Sequence, residues 1–308
     1  MGRFFVAGLI NLETTVAIDG FPLDYFPVRY PFFGLRSAVS GVGYNLAKAL
    51  TVLGNEVVFA SLTGTDGNGD LVRKALSESR IRDGLVLNLL DETPQSVILY
   101  DPQGRRQIHV DLKDIQDRTY PVSRHTETAI QSCDLAVICN ASFTRPLLAL
   151  ARQEGKRIAT DLHALSDLDD PYNREYMEAA EILFLSDEAL PVAPEDTARA
   201  LLGRTHAEIV GIGLGGQGAL LAVRKDDFIG RFQAVETRPV VNTIGAGDAL
   251  FSAFLHSYCR DHDPYRAIQA AQVFASYKIG ETGSAHGFLD AEELDSLIKT
   301  KDDGGMKP

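Results

Sequence analysis

Asn242-Thr-Ile-Gly-Ala-Gly-Asp248, running straight on into Ala249-Leu-Phe-Ser-Ala-Phe-Leu255, is a Gly-rich turn that opens into an apolar helix. Such a turn aims unpaired backbone N–H groups outward, and the helix dipole adds partial positive charge at the same place. Its glycines let an anion approach the backbone closely. Asp248 falls at the mouth of this anion hole, where a carboxylate can accept the proton of an attacking alcohol, as the catalytic Asp of phosphoryl transferases does. Taken alone, the same residues also read as a Gly turn with Asp248 as an N-cap. The rest of the chain decides between the two.

Upstream, Phe4–Ile10 reads as a buried strand. The stretch after it carries Phe21-Pro, Phe26-Pro and Tyr30-Pro, which suits edge strands and turns. Leu46, Ala49, Leu50 and Leu53 recur at helical spacing, and Gly54 is placed to stop that helix. Val57–Leu62 is strand-like and Leu71–Ser79 helical; Ser96–Asp101 and Arg106–Val110 form a hairpin around Pro102-Gln-Gly104. Leu135–Cys139, Arg157–Asp161, Ile182–Leu185 and Glu208–Ile212 are short apolar strands, mostly with helical stretches between them. That alternation predicts an α/β chain, a three-layer α/β/α sandwich with a mostly parallel central sheet. Two polar, alternating insertions, about 14–38 and 95–111, predict a small β lid beside it, and residues 1–308 read as a single domain.

Composition narrows the function. With 308 residues, 45% hydrophobic and 23% charged, the chain is globular. A net charge of -12 without a basic stripe argues against nucleic-acid binding. The cysteines, Cys133, Cys139 and Cys259, match no zinc or redox spacing, which favours a reducing cytoplasm. No apolar run is long enough to span a bilayer. The polar tail from Lys301 to Pro308 is expected to fray.

Against this background Thr243-Ile-Gly-Ala-Gly-Asp248 resembles the C-terminal signature of the ribokinase-like (PfkB) family of carbohydrate and nucleoside kinases. Ser40-Gly41-Val-Gly43-Tyr-Asn45-Leu-Ala47 through Leu53-Gly54 resembles that family's N-terminal signature. Gly64-Thr-Asp66-Gly-Asn-Gly69 and Gly8-Leu-Ile-Asn11-Leu-Glu13 are similar to two further family stretches, in the same order. The resemblance implies a kinase that uses ATP and Mg²⁺ to phosphorylate a hydroxymethyl group. It implies Asp248 as base and the Gly245, Ala246 and Gly247 amides as anion hole. Asn11, Glu13, Gly41 and Asn45 would hold substrate hydroxyls, while Ser186, Gly213, Gly215 and Gly218 would border the nucleotide. A homodimer through the lid is a further expectation.

The departures matter as well. Ser40 replaces the first Gly of a pair. Val42 stands where several sugar kinases carry a polar or basic residue, and with no Lys or Arg in the first two motifs a neutral sugar or nucleoside is expected. Asn242 replaces the usual Asp, which leaves monovalent-cation activation open. Ser186-Asp187-Glu188-Ala189 occupies the place of the family's Asn-x-x-Glu, so the metal ligands are unknown, with Asp187 or Glu188 as substitutes. A sugar-phosphate kinase, or a non-catalytic sugar- or nucleotide-binding regulator, is the rival reading.

Gly211-Ile-Gly213-Leu-Gly-Gly216 satisfies the dinucleotide fingerprint, but its continuation reads as a hairpin where that motif needs a helix. No Walker motif is present. The seven histidines show no metal spacing, and His163 and His262 read as surface or loop residues. Asn140 and Asp161 each end a predicted strand and are expected to border the pocket.

Overall fold

In the computed structural model, which describes residues 1–303, the opening apolar run forms β1 (Arg3–Ala7). Phe4 and Val6 join the hydrophobic core on one side of it; Phe5 and Ala7 join a second core on the other. A strand buried on both faces has no polar side to show, hence its unbroken apolar run. The chain continues through β2 (Asn11–Ala17), β3 (Leu35–Ser40), α1 (Val42–Val52), β4 (Glu56–Thr63), α2 (Gly67–Glu78) and β5 (Arg82–Asn88). Next come β6 (Gln95–Tyr100), β7 (Arg106–Asp111), α3 (Arg124–Ser132), β8 (Leu135–Ile138), α4 (Arg145–Gln153) and β9 (Ile158–Ala164). The remainder is α5 (Arg174–Ala179), β10 (Ile182–Ser186), α6 (Pro194–Arg204), β11 (Ile209–Gly213), β12 (Ala219–Val223), β13 (Phe228–Phe232), α7 (Ala246–Asp261), α8 (Pro264–Lys278) and α9 (Ala291–Asp303).

A 9-stranded sheet runs β13-β12-β11-β10-β9-β8-β1-β4-β5. It is parallel from β11 to β5, and β12 and β13 add an antiparallel hairpin at one edge. α1, α7 and α8 contribute to the core on one face, and α4, α5 and α6 to the core on the other. The expected sandwich is therefore present. A 4-stranded sheet, β3-β2-β6-β7, stands apart and is built from the two predicted insertions.

The structure corrects three details. β5 was not foreseen, because at the sheet edge its Arg82-Asp-Gly start is exposed and carries no apolar signal. Asp161 does not end its strand: β9 runs on to Ala164, with a register shift opposite Phe184 and Ser186 of β10. α9 continues through Lys301 to Asp303, and the rest of the tail expected to fray, 304–308, lies outside the described residues.

Candidate active site

The smaller sheet supplies one wall. Side chains alternate along β2, so Asn11, Glu13 and Thr15 are buried while Leu12, Thr14 and Val16 lie on the opposite face. Register brings Ser40 of β3 opposite Asn11, and Ser96 of β6 opposite Glu13. The buried face is consequently polar. Asn11 Nδ2 donates to Ser96 Oγ at 3.0 Å, and Asn11 Oδ1 has no partner. Glu13 accepts from Ser40 Oγ at 2.9 Å and from Ser284 Oγ at 3.1 Å, so the protein itself contacts both carboxylate oxygens. Burial pushes its pKa up, and the two serine hydroxyls and Lys278 oppose that shift.

β3 leads directly into α1 through Gly41, at φ 104, where any Cβ would sit against the Leu9 carbonyl. The turn needs glycine for that close approach. Asn45 is the fourth residue of α1 rather than its cap. Its Nδ2 reaches across to Asp248 Oδ2 at 2.7 Å, and its buried Oδ1 has no partner.

Gly245 caps α7 at φ 74 and backs onto the Ser284 carbonyl, with no room for a side chain. The N–H of Ala246 closes a turn on Thr243 O at 3.2 Å. Of the three expected amides, Gly245 and Gly247 are therefore the ones without a partner among the described residues, and the Asp248 amide joins them in the first turn. Asp248 is the third helical residue, not the cap. Desolvation raises its pKa to about 6; the Asn45 amide and His163 lower it, Asp161 raises it, and Lys278 lowers it. His163, expected at the surface or in a loop, is exposed, and its backbone is left-handed at φ 58. Asn140, expected at the pocket rim, donates to Asn173 Oδ1 at 2.9 Å.

Ser186 and Gly213, expected to border the nucleotide, are register partners at the ends of β10 and β11. An added Cβ at Gly213 would lie 4.0 Å from Leu250 of α7, so this loop borders the start of that helix. Gly215 and Gly218, at φ 54 and 98, shape the turn into β12. The β12–β13 hairpin follows as expected, so the dinucleotide fingerprint lacks its helix. Ser186 Oγ accepts from the Glu188 N–H at 3.3 Å. Glu188 pairs at 2.7 Å with Arg106 of β7, and Arg106 also donates to Thr243 Oγ1 at 3.1 Å. Among the described residues no three acidic, histidine or cysteine side chains gather into a metal cage. Mg²⁺ requires no such cage when phosphates and water fill most of its shell, and Asp187, one of the two expected substitute carboxylates, directly follows Ser186.

Sequence reasoning missed Lys278, Arg106 and Arg36. Lys278 is fully buried and its Nζ donates to the carbonyls of Ile244 and Gly283. Arg36 of β3 donates to Thr282 Oγ1 at 3.0 Å. The available signal was a lysine at the end of an apolar helix, where an exposed charge is the ordinary expectation.

Comparison with known proteins fits this geometry. A model of the pfkB family carbohydrate kinases matches residues 33–291. The chain is 26% identical to an acarbose 7(IV)-phosphotransferase of Actinoplanes sp., over 94% of this chain and 96% of that one. It is 23% identical to an ATP-dependent ribose-1-phosphate kinase of Halopiger xanaduensis, over 92% and 94%. The solved structure of a microbiome-derived acarbose kinase shares the fold, with TM-score 0.86 and 24% identity over 97% of this chain and 99% of that one.

Proposed function

Because the chain belongs to the pfkB family of carbohydrate kinases, we propose that it moves the γ-phosphoryl group of ATP onto a hydroxymethyl group of a neutral sugar or nucleoside. It is a phosphotransferase acting on a sugar hydroxyl. The finer reading is supported by the buried, unpartnered Oδ1 atoms of Asn11 and Asn45, the second on the side chain that bonds Asp248. A buried acceptor without a donor is costly, and a substrate hydroxyl is the group that satisfies it. Asp248 takes the alcohol proton as the new P–O bond forms, and the Asn45 amide holds the carboxylate in place. The Gly245 and Gly247 amides face the charge on the transferred group. MgATP, when bound, supplies that group; Ser186, Gly213, Gly215 and Gly218 border it. Glu13 acts through Ser40 and Ser284, fixing the wall that receives the sugar.

A second reading rests on Arg36 and Arg106, which bring cations to the rim of the small sheet and would suit a phosphorylated acceptor. Both guanidiniums are already engaged with protein groups, which favours the neutral acceptor. ADP release measured over a panel of sugars, nucleosides, oligosaccharides and sugar phosphates decides. We expect the highest kcat/KM for a neutral compound; a sugar phosphate exceeding every neutral one would overturn this.

A further inference from the structure

We propose that the Lys278 ammonium is a built-in cation that holds the anion-binding turn in shape, so that turnover needs no monovalent metal ion. The inference rests on the kinase reading above. It begins from a group that ought not to be where it is: Lys278 is 0% exposed. An ammonium removed from water requires compensation by hydrogen bonds or a counter-charge. Its direct partners are two backbone carbonyls, those of Ile244 and Gly283.

Those carbonyls belong to the two loops that frame the site. Ile244 immediately precedes Gly245, the cap of α7, and Gly283 immediately precedes Ser284, which bonds Glu13. The loops meet where Gly245 backs onto the Ser284 carbonyl. Behind them, the N–H groups of Val241 and Asn242 both reach the Ile279 carbonyl, so the base of the turn hangs from the end of α8. Two carbonyl oxygens pointing at one spot repel each other unless a cation lies between them. Lys278 is the last residue of α8, so the negative end of that helix favours the same charge.

A free alkali-metal ion would use these same oxygens, and the surroundings do not suit one. The lysine already occupies the carbonyls. Asn242 is neutral, and its Oδ1 accepts from the Ile244 N–H at 3.1 Å, so it adds no negative charge to attract a second cation. Burial pulls the Lys278 pKa down to about 8; Asp248, then Glu13 and Glu281, raise it, and Arg238 lowers it. The cation is thus tethered between the base, the substrate wall and the anion hole.

The test compares initial rates in a buffer whose only cation is tetramethylammonium with rates after potassium or sodium chloride is added at matched ionic strength. Wild-type rates should agree within about two-fold, too little to reflect a lost transition-state contact. Activation by about ten-fold or more, one full decade, overturns the proposal. Lys278→Met should lower kcat by about 10²-fold, the scale of one lost electrostatic contact, with a smaller change in acceptor KM. Methylammonium or potassium should restore part of that loss; a variant as active as wild type also overturns the proposal. Should Lys278→Met fail to fold, the wild-type comparison decides alone. MgATP affinity by calorimetry, with and without potassium, gives a readout that needs no acceptor: affinity unchanged by potassium supports the proposal, and potassium-dependent affinity overturns it. A panel that yields no acceptor would therefore sink the sugar-kinase reading while leaving this one decidable.

Discussion

At Asp248 several groups act on one carboxylate: burial raises its pKa, the Asn45 amide at 2.7 Å and the charge of His163 lower it, and Asp161 raises it again. The folded value of about 6 lies above the ordinary aspartate value of 3.8, so the native state holds its proton more tightly between those limits. Stability from this group is full below pH 3.8 and is lost as pH rises through about 6. The ionised base thus strains the fold that carries it. Asp248→Asn should leave the melting temperature equal or higher near neutral pH, while kcat falls by about 10²–10⁴-fold, the usual share of a general base. Calorimetry and turnover on one preparation check both halves, and retention of more than about a tenth of kcat would remove Asp248 from the reaction. In the wild type, kcat should fall on the acid side with a midpoint near the folded pKa of about 6.

Among the elements, β7 carries a side chain that joins the small sheet to two loops beyond it. Its Arg106 ties the small sheet to Thr243 beside the proposed anion hole and to Glu188 beside Ser186. Arg36 of β3 ties the same sheet to Thr282. Cutting the first tie should loosen the sheet over the site and admit water. Arg106→Ala is expected to lower kcat and to raise ADP release without acceptor relative to turnover; an unchanged ratio would show that this contact does not guard the site. The core strands β1, β8, β10 and β11 were legible because burial on both faces leaves an apolar run that no neighbour can disguise. The anion turn was legible because its glycines and Asp248 are contiguous. Arg106 and Lys278 were not, since their meaning lies in partners 137, 82 and 34 residues away. Glu13 was singled out by the motif it stands in, but nothing local announces that Ser284, 271 residues on, would claim one of its oxygens.

For the molecule as a whole, the exposed aromatic side chains among the described residues gather beside the small sheet. Tyr25, Phe32 and Phe33 are 91%, 84% and 97% exposed on the segment between β2 and β3, and Val97, Ile108 and Val110 are exposed on β6 and β7. Register puts Val97 on the outer face with Thr14, and Ile108 and Val110 on the face of Ser96 and Glu13, so a small sheet with exposed apolar side chains on both faces and unpaired edges at β3 and β7 invites a second copy. A two-fold pairing would bury both. We expect light scattering at micromolar concentration to report a dimer that Phe32→Asp and Val97→Asp dissociate; a monomeric wild type, or a dimer indifferent to both, refutes the arrangement.

The pairing of β2 with β6 carries a consequence for how the chain acquires its shape. The two strands run parallel, although β3, α1, β4, α2 and β5 lie between them. Their ladder cannot close until that intervening unit has brought its ends together, which makes it a late event in folding. Late structure that contributes little to either main core is also the first to open in the native state. The β2 and β6 amides should then exchange their hydrogens with solvent as one group, faster than those of β1 and β8. Protection of both pairs to the same degree would mean that the small sheet and the core unfold as a single unit.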